Sequence, residues 1–172
     1  AAQRRLWFVN RFDPSSPSYN LPFAVCLDGD LDVDALAAAV TDVLDRHRTL
    51  RTVYPAADEF AVLPVARPDL DPVAVPEDAL DGFVREFATT GFDLTTEPPV
   101  RMRLYRTGPD RHVLLVVLHH IAADGWALGQ LLRDITAAYT ARRAGQAPAL
   151  PPLSVQYTDY ARWQHSLADE QI

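Results

Sequence analysis

Residues 100–118 constrain the fold more than any other stretch of the sequence. Residues 100–107 alternate in character, Gly108-Pro109-Asp110 supplies a turn, and residues 112–118 are strongly apolar. This is the pattern of a β-hairpin whose second strand is buried on both faces. Such a strand has to be covered by other elements, and hydrophobic periodicity supplies them. Leu6, Trp7, Val9 and Phe12 mark a short helix over residues 1–12, broken by Asp13-Pro14-Ser15-Ser16-Pro17. Residues 21–27 read as a strand. Asp32 can cap a helix with the stripe Val33, Leu36, Val40, Val43, Leu44 and His47, which makes His47 a core residue. Two short strands are expected near 50–54 and 59–65, then a proline-bearing linker or edge segment at 68–76 and an amphipathic helix at 77–89. Beyond the hairpin, Gly125 precedes a long helix with Leu128, Leu131, Leu132, Ile135 and Tyr139 on one face, ending near Arg142-Arg143-Ala144-Gly145. A last helix holds Tyr157, Tyr160 and Trp163.

The element mix is α/β or α+β. At 172 residues and 48% apolar composition the chain makes one domain, residues 1–172, with a core large enough to need no disulfide or metal staple. Cys26 is the single cysteine, so no disulfide can form within the chain and a reducing, cytoplasmic setting is expected. Lying mid-strand among apolar neighbours, Cys26 reads as packing. A net charge of -7 argues against nucleic acid as a partner. All 16 basic residues are arginine, so Schiff-base chemistry, pyridoxal phosphate attachment and a P-loop lysine drop out together. The apolar run at 113–118 is too short to cross a bilayer, and residues 1–5 lack the apolar stretch of a signal peptide, so a soluble protein with no membrane contact is expected. The only methionine is Met102, which suggests a chain processed or cut from something longer.

No Gly-x-Ser-x-Gly, Gly-x-Gly-x-x-Gly, His-Glu-x-x-His or EF-hand pattern occurs. What stands out is His119-His120-Ile121-Ala122-Ala123-Asp124-Gly125, placed where a buried strand ends and a long helix is about to begin. Adjacent strand residues point to opposite faces, so His119 and His120 cannot share one cavity: one is structural and the other available. The same geometry leaves too few ligands for a protein-closed metal site. Spacing alone leaves two readings open. Both histidines are satisfied core polar groups with Asp124 as a helix N-cap, or one is a general base near neutral pKa.

The heptad His-His-x-x-x-Asp-Gly closely resembles the signature of nonribosomal peptide synthetase condensation domains, within the chloramphenicol acetyltransferase-like superfamily. Three further segments match in that family's order: Ala2-Gln3-Arg4-Arg5-Leu6-Trp7-Phe8, Arg46-His47-Arg48-Thr49-Leu50-Arg51-Thr52 and Tyr157-Thr158-Asp159-Tyr160-Ala161-Arg162-Trp163. Two departures are Arg48, where glutamate is usual, and Ala127, where serine often follows the tryptophan. The resemblance covers the N-terminal half of a condensation domain. It implies a two-layer α/β (α+β) sandwich with a mainly antiparallel sheet flanked by helices, one of two lobes with the histidine motif at their junction.

The implied reaction is amide formation between a donor acyl or peptidyl thioester and the amine of an acceptor aminoacyl thioester. Both substrates ride on the 4'-phosphopantetheine of peptidyl carrier proteins, no cofactor or metal is bound directly, and the C-terminal lobe and adjacent synthetase domains are further partners. His120 is the residue whose family counterpart faces the reaction centre, and Gly125 lets the backbone approach the substrate, its amide facing the developing oxyanion. His119 and Asp124 are structural, Asp124 pairing with Arg46 or, as second choice, Arg51. Trp126 walls the channel or packs the helix opening. A carrier- or CoA-dependent O-acyltransferase and a non-catalytic docking module are the alternatives, and a lone lobe is expected to be inactive.

Overall fold

A computed structural model describes residues 2–123 and 125–153. Helix α1 (Ala2–Phe12) is followed by strand β1 (Asn20–Asp28), helix α2 (Val33–Arg46), a 3₁₀ turn (Arg48–Arg51), strands β2 (Thr52–Ala56), β3 (Glu59–Val62) and β4 (Val73–Ala74), and a second 3₁₀ turn (Glu77–Ala79). Helix α3 (Leu80–Ala88), the hairpin of β5 (Val100–Gly108) and β6 (Arg111–His119), and helix α4 (Gly125–Arg143) complete the described elements. The principal sheet runs β1-β6-β5-β4, antiparallel except for the short β4–β5 pair, and β2–β3 forms a separate two-stranded sheet. The mixed α/β class and the mainly antiparallel sheet are those expected. The proposed last helix at Tyr157–Trp163 lies outside the described residues.

Strand β6 sits between β1 and β5 and is buried on both faces, as its composition dictates. Leu114, Val116 and Leu118 pack with Leu36, Val40 and Val43 of α2 and Leu131, Ile135 and Ala138 of α4. Val113, Leu115 and Val117 face the other way, into a core closed by Leu6 and Trp7 of α1, Val84 and Phe87 of α3, and Phe92 and Leu94 of the loop before β5. Each such side chain contributes about 1.5–3 kcal/mol of transfer free energy, which makes β6 the least replaceable element.

Asp32 caps α2, its side chain accepting from the Ala35 N–H at 2.9 Å. Arg142 at the C-terminal end of α4 ties it to the body of α2, donating to both Asp42 oxygens at 2.7 and 2.8 Å. Helix α4 ends where expected, with Gly145 at φ +73° and the Gln146 N–H returning to the Ala141 carbonyl at 2.9 Å.

Three local expectations need correction. Cys26 is exposed and is not a packing residue: strand alternation aims Leu21, Phe23 and Leu27 at the α2/α4 side and puts Cys26 on the opposite, exposed face of β1. His47 is not an apolar core residue, because it terminates α2 and turns its ring to a carboxylate. Leu50 and Arg51 belong to the 3₁₀ turn, so the strand expected from 50 begins at Thr52.

Candidate active site

The two histidines stand at the end of β6. Register places Asn20 of β1 opposite His119. Past that pair the chain is held from both sides: the His119 N–H donates to the Pro99 carbonyl and the His120 N–H to the Tyr19 carbonyl, each at 2.9 Å. Alternation sends His119 inward, 2% exposed, between the edge-on ring of Phe92 at 5.9 Å and the tilted ring of Tyr19 at 6.1 Å. Its Nδ1 accepts the Ile121 N–H at 3.1 Å, which leaves the imidazole proton on Nε2. Burial, assisted by the neighbouring His120, pushes its pKa down to about 4, so it is neutral near physiological pH. His120 is exposed. One imidazole is thus committed to the interior and the other is available at the sheet's end.

Residues 119–122 form a tight turn, the Ala122 N–H returning to the His119 carbonyl at 3.0 Å. Ile121 and Ala123 are buried on opposite sides of the sheet. The two carbonyls between them are held from outside the turn: Gln3 of α1 donates its side-chain amide to the Ile121 oxygen at 3.1 Å, and the Thr49 hydroxyl donates to the Ala122 oxygen at 3.3 Å. Asp124 lies outside the described residues, as does the side chain of Trp126. Gly125 opens α4.

Arg46 donates through Nε to the Asp134 Oδ2 at 3.1 Å. The same oxygen meets His47 Nε2 at 2.7 Å, and Gln130 donates to the other at 2.8 Å. Asp134 is 5% exposed. Burial raises its carboxyl, but the hydrogen bonds from His47 and Gln130 and the proximity of His47 and Arg46 outweigh that and hold it below the usual range. Arg51 staples the end of α2 to the chain after β3, donating to the Leu44 carbonyl at 3.1 Å, the Leu63 carbonyl at 2.7 Å and Asp45 at 3.2 Å.

Asp134 and the anchoring roles of Gln3 and Thr49 were not read from the sequence. A signal for Asp134 exists: it is a carboxylate three residues after Leu131 and four before Ala138, on the buried stripe of α4. The turn, the 3₁₀ segment and α4 border a cleft of about 130 Å³ lined by His47, Thr49, Ala122, Ala123 and Gln130, well below the ~300–1,000 Å³ of ordinary ligand pockets. Among the described residues no three His, Cys, Asp or Glu side chains are grouped to hold a metal ion.

The profile of the Condensation domain family matches residues 1–172. The chain belongs to the condensation-domain family. It is 48% identical over 174 residues to the isonitrile lipopeptide synthase of Mycobacterium tuberculosis, covering 96% of this chain and 7% of that protein. It is 43% identical over 171 residues to the dimodular nonribosomal peptide synthase of Bacillus subtilis, again 96% of this chain and 7% of that one. In three dimensions it matches the X-domain from teicoplanin biosynthesis, solved in complex with OxyB, with a TM-score of 0.94 and 39% identity, covering 99% of this chain and 38% of that chain. This condensation-domain sequence therefore spans a small part of the synthases it resembles and well under half of the X-domain chain. No helix among the described residues of the condensation-domain chain is long and apolar enough to cross a membrane.

Proposed function

We propose that the chain is the N-terminal lobe of an amide-forming condensation domain, with His120 at the reaction centre. The observation that carries this reading is the division of labour at the end of β6: His119 is buried, neutral and hydrogen-bonded, while His120 is exposed on a turn fixed by its neighbours. In the reaction the acceptor amine nitrogen attacks the donor thioester carbonyl, a C–N bond forms, the C–S bond breaks, and the nitrogen's proton passes to the departing thiolate. His120 takes or orients that proton. General acid–base help of this kind is worth about 10²–10⁴ in rate.

An α-amino group has a pKa of about 7.7–8.0, so an appreciable fraction is already neutral at working pH. Holding both thioesters in attack geometry supplies roughly 7–11 kcal/mol and is the larger contribution. In this reading the Gly125 amide faces the developing oxyanion, Asp124 is structural with Arg46 or Arg51 beside it, and Trp126 walls the substrate channel. Donor and acceptor carrier proteins bring the substrates on 4'-phosphopantetheine arms from two sides, the second lobe closes the site, and the setting is cytoplasmic. The test is His120→Ala in the complete two-lobed protein with both carriers loaded: amide product falls about 100-fold or more while the unfolding temperature stays put. A folded, active variant overturns the assignment.

A second reading is favoured by the likeness to the X-domain, which was solved with a protein partner. Here the fold serves as a docking module and the histidines do no chemistry. Amide formation by the complete parent protein, lost on His120→Ala, decides for catalysis; no product from a folded parent with verified loaded carriers decides for docking.

A further inference from the structure

The first motif of the sequence, Ala2-Gln3-Arg4-Arg5-Leu6-Trp7-Phe8, lies in helix α1. Three residues on the inner face of α1, spaced three or four apart, send side-chain N–H groups out of the helix. Trp7 Nε1 donates to the Tyr54 carbonyl of β2 at 2.8 Å, and Asn10 donates to the Phe92 carbonyl at 2.9 Å. These two bonds, with Leu6 and Trp7 packed into the core beside Phe92, fix the helix to the body of the molecule. The third, Gln3, reaches the catalytic turn itself. Its side-chain nitrogen spends one hydrogen on the Tyr54 hydroxyl at 3.0 Å and the other on the Ile121 carbonyl at 3.1 Å.

That carbonyl belongs to the residue immediately after His120. The His120 N–H is already held by Tyr19, so the 119–120 peptide unit and the 121–122 peptide unit, on either side of the His120–Ile121 linkage, are gripped from two different elements. Ile121 is also the residue whose N–H is bonded to His119. Rotation of the His120–Ile121 segment would have to break one of these bonds. A side chain on a helix held at two other points is a stiff strut, and small displacements of a reacting group are costly.

We propose that Gln3 is a positioning residue for the amide-forming reaction, setting the orientation of His120 through the Ile121 carbonyl. This rests on the functional reading given above. It assigns the first motif a part in the reaction beyond packing: Trp7, with Asn10 beyond the motif, moors the helix, and Gln3 acts on the turn.

The test uses the complete two-lobed protein with both carriers loaded. Gln3→Met keeps the length and bulk of the side chain and deletes both donors, whereas Gln3→Lys keeps a donor of similar reach. Gln3→Met is expected to lower kcat at least tenfold with KM for the carriers within twofold, and to speed hydrogen exchange of the amides at 120–123 and not at 7–12. Gln3→Lys is expected to stay within threefold of the parent. Parental kcat in Gln3→Met overturns the proposal, as does an equal loss in both variants. If Gln3→Met does not fold, Gln3→Glu against Gln3→Lys decides in the same way, equal rates overturning it. His120→Ala is assayed alongside: its activity sinks the functional reading, while the exchange data still report whether Gln3 holds the turn.

Discussion

An imidazole enclosed by two rings, with Nδ1 already accepting a hydrogen bond, cannot take a second proton without giving up its surroundings. For His119 the folded protein holds the pKa at about 4, against about 6.5 in the unfolded chain. Between those values the unfolded state binds more protons, so stability is full above about pH 6.5 and falls as the pH drops towards 4. The loss amounts to about 2 kcal/mol by pH 5 and about 3 kcal/mol in all. Asp93 and Asp134, whose carboxyls are held low, lose their contributions below the unfolded carboxylate value near 3.8, outside this window. The urea midpoint should therefore fall between pH 7 and pH 5 in the parent. In His119→Asn, weaker at every pH, most of that slope should be gone, and an unchanged slope would dissociate it from His119.

The turn bearing the histidines is only as fixed as the loops beneath it. Tyr19, which holds the His120 N–H, ends the α1–β1 loop, and that loop rests on Gly91 with no room to spare: a Cβ at Gly91 would lie 2.0 Å from the Pro14 carbonyl oxygen. Arg101 of β5 clamps the same place, donating to the Thr90 and Gly91 carbonyls and stacking on the Phe92 ring at 3.8 Å. Because both sides of the close approach are backbone, Gly91→Ala should cost about 3 kcal/mol, at the upper end for overpacking. A fall of roughly 6–12 °C in the unfolding temperature is expected, and a shift under 2 °C would show that the loops separate easily. The sequence signals for these elements were uneven. The β5–β6 hairpin, the capped α2 and the start and stop of α4 were readable, because turn residues, an N-cap and a helical period are local signals. Strand β4, two residues long, carries no period at all. The exposed face of Cys26 and the turning of His47 towards Asp134 depend on which elements lie above them, which no single segment encodes. At the site, the opposed faces of His119 and His120 followed from strand geometry. The anchors Gln3 and Thr49, 118 and 73 residues away from the carbonyls they hold, did not.

The described residues wrap a sheet with apolar packing on both faces, so the 172-residue chain should fold by itself. It should not catalyse condensation by itself, since His120 would face open solvent with neither thioester held and the proximity contribution gone. Phe12 is 89% exposed and Phe8, Phe60 and Phe83 stand out as well, so self-association of the isolated chain at high concentration is expected. Mixing the purified chain with both loaded carriers, with and without a separately produced second lobe, reads out both expectations. Turnover by the lone chain near the full rate would mean that a complete site lies within these residues. Exposed Cys26 has a practical consequence for such work. It is the chain's single thiol, and it sits six residues along β1 from Asn20, the partner of His119, or about 20 Å by strand geometry. A maleimide dye or spin label attached there needs no engineered cysteine in this chain. It would stand clear of the histidines yet within energy-transfer range of a labelled carrier arm arriving at them.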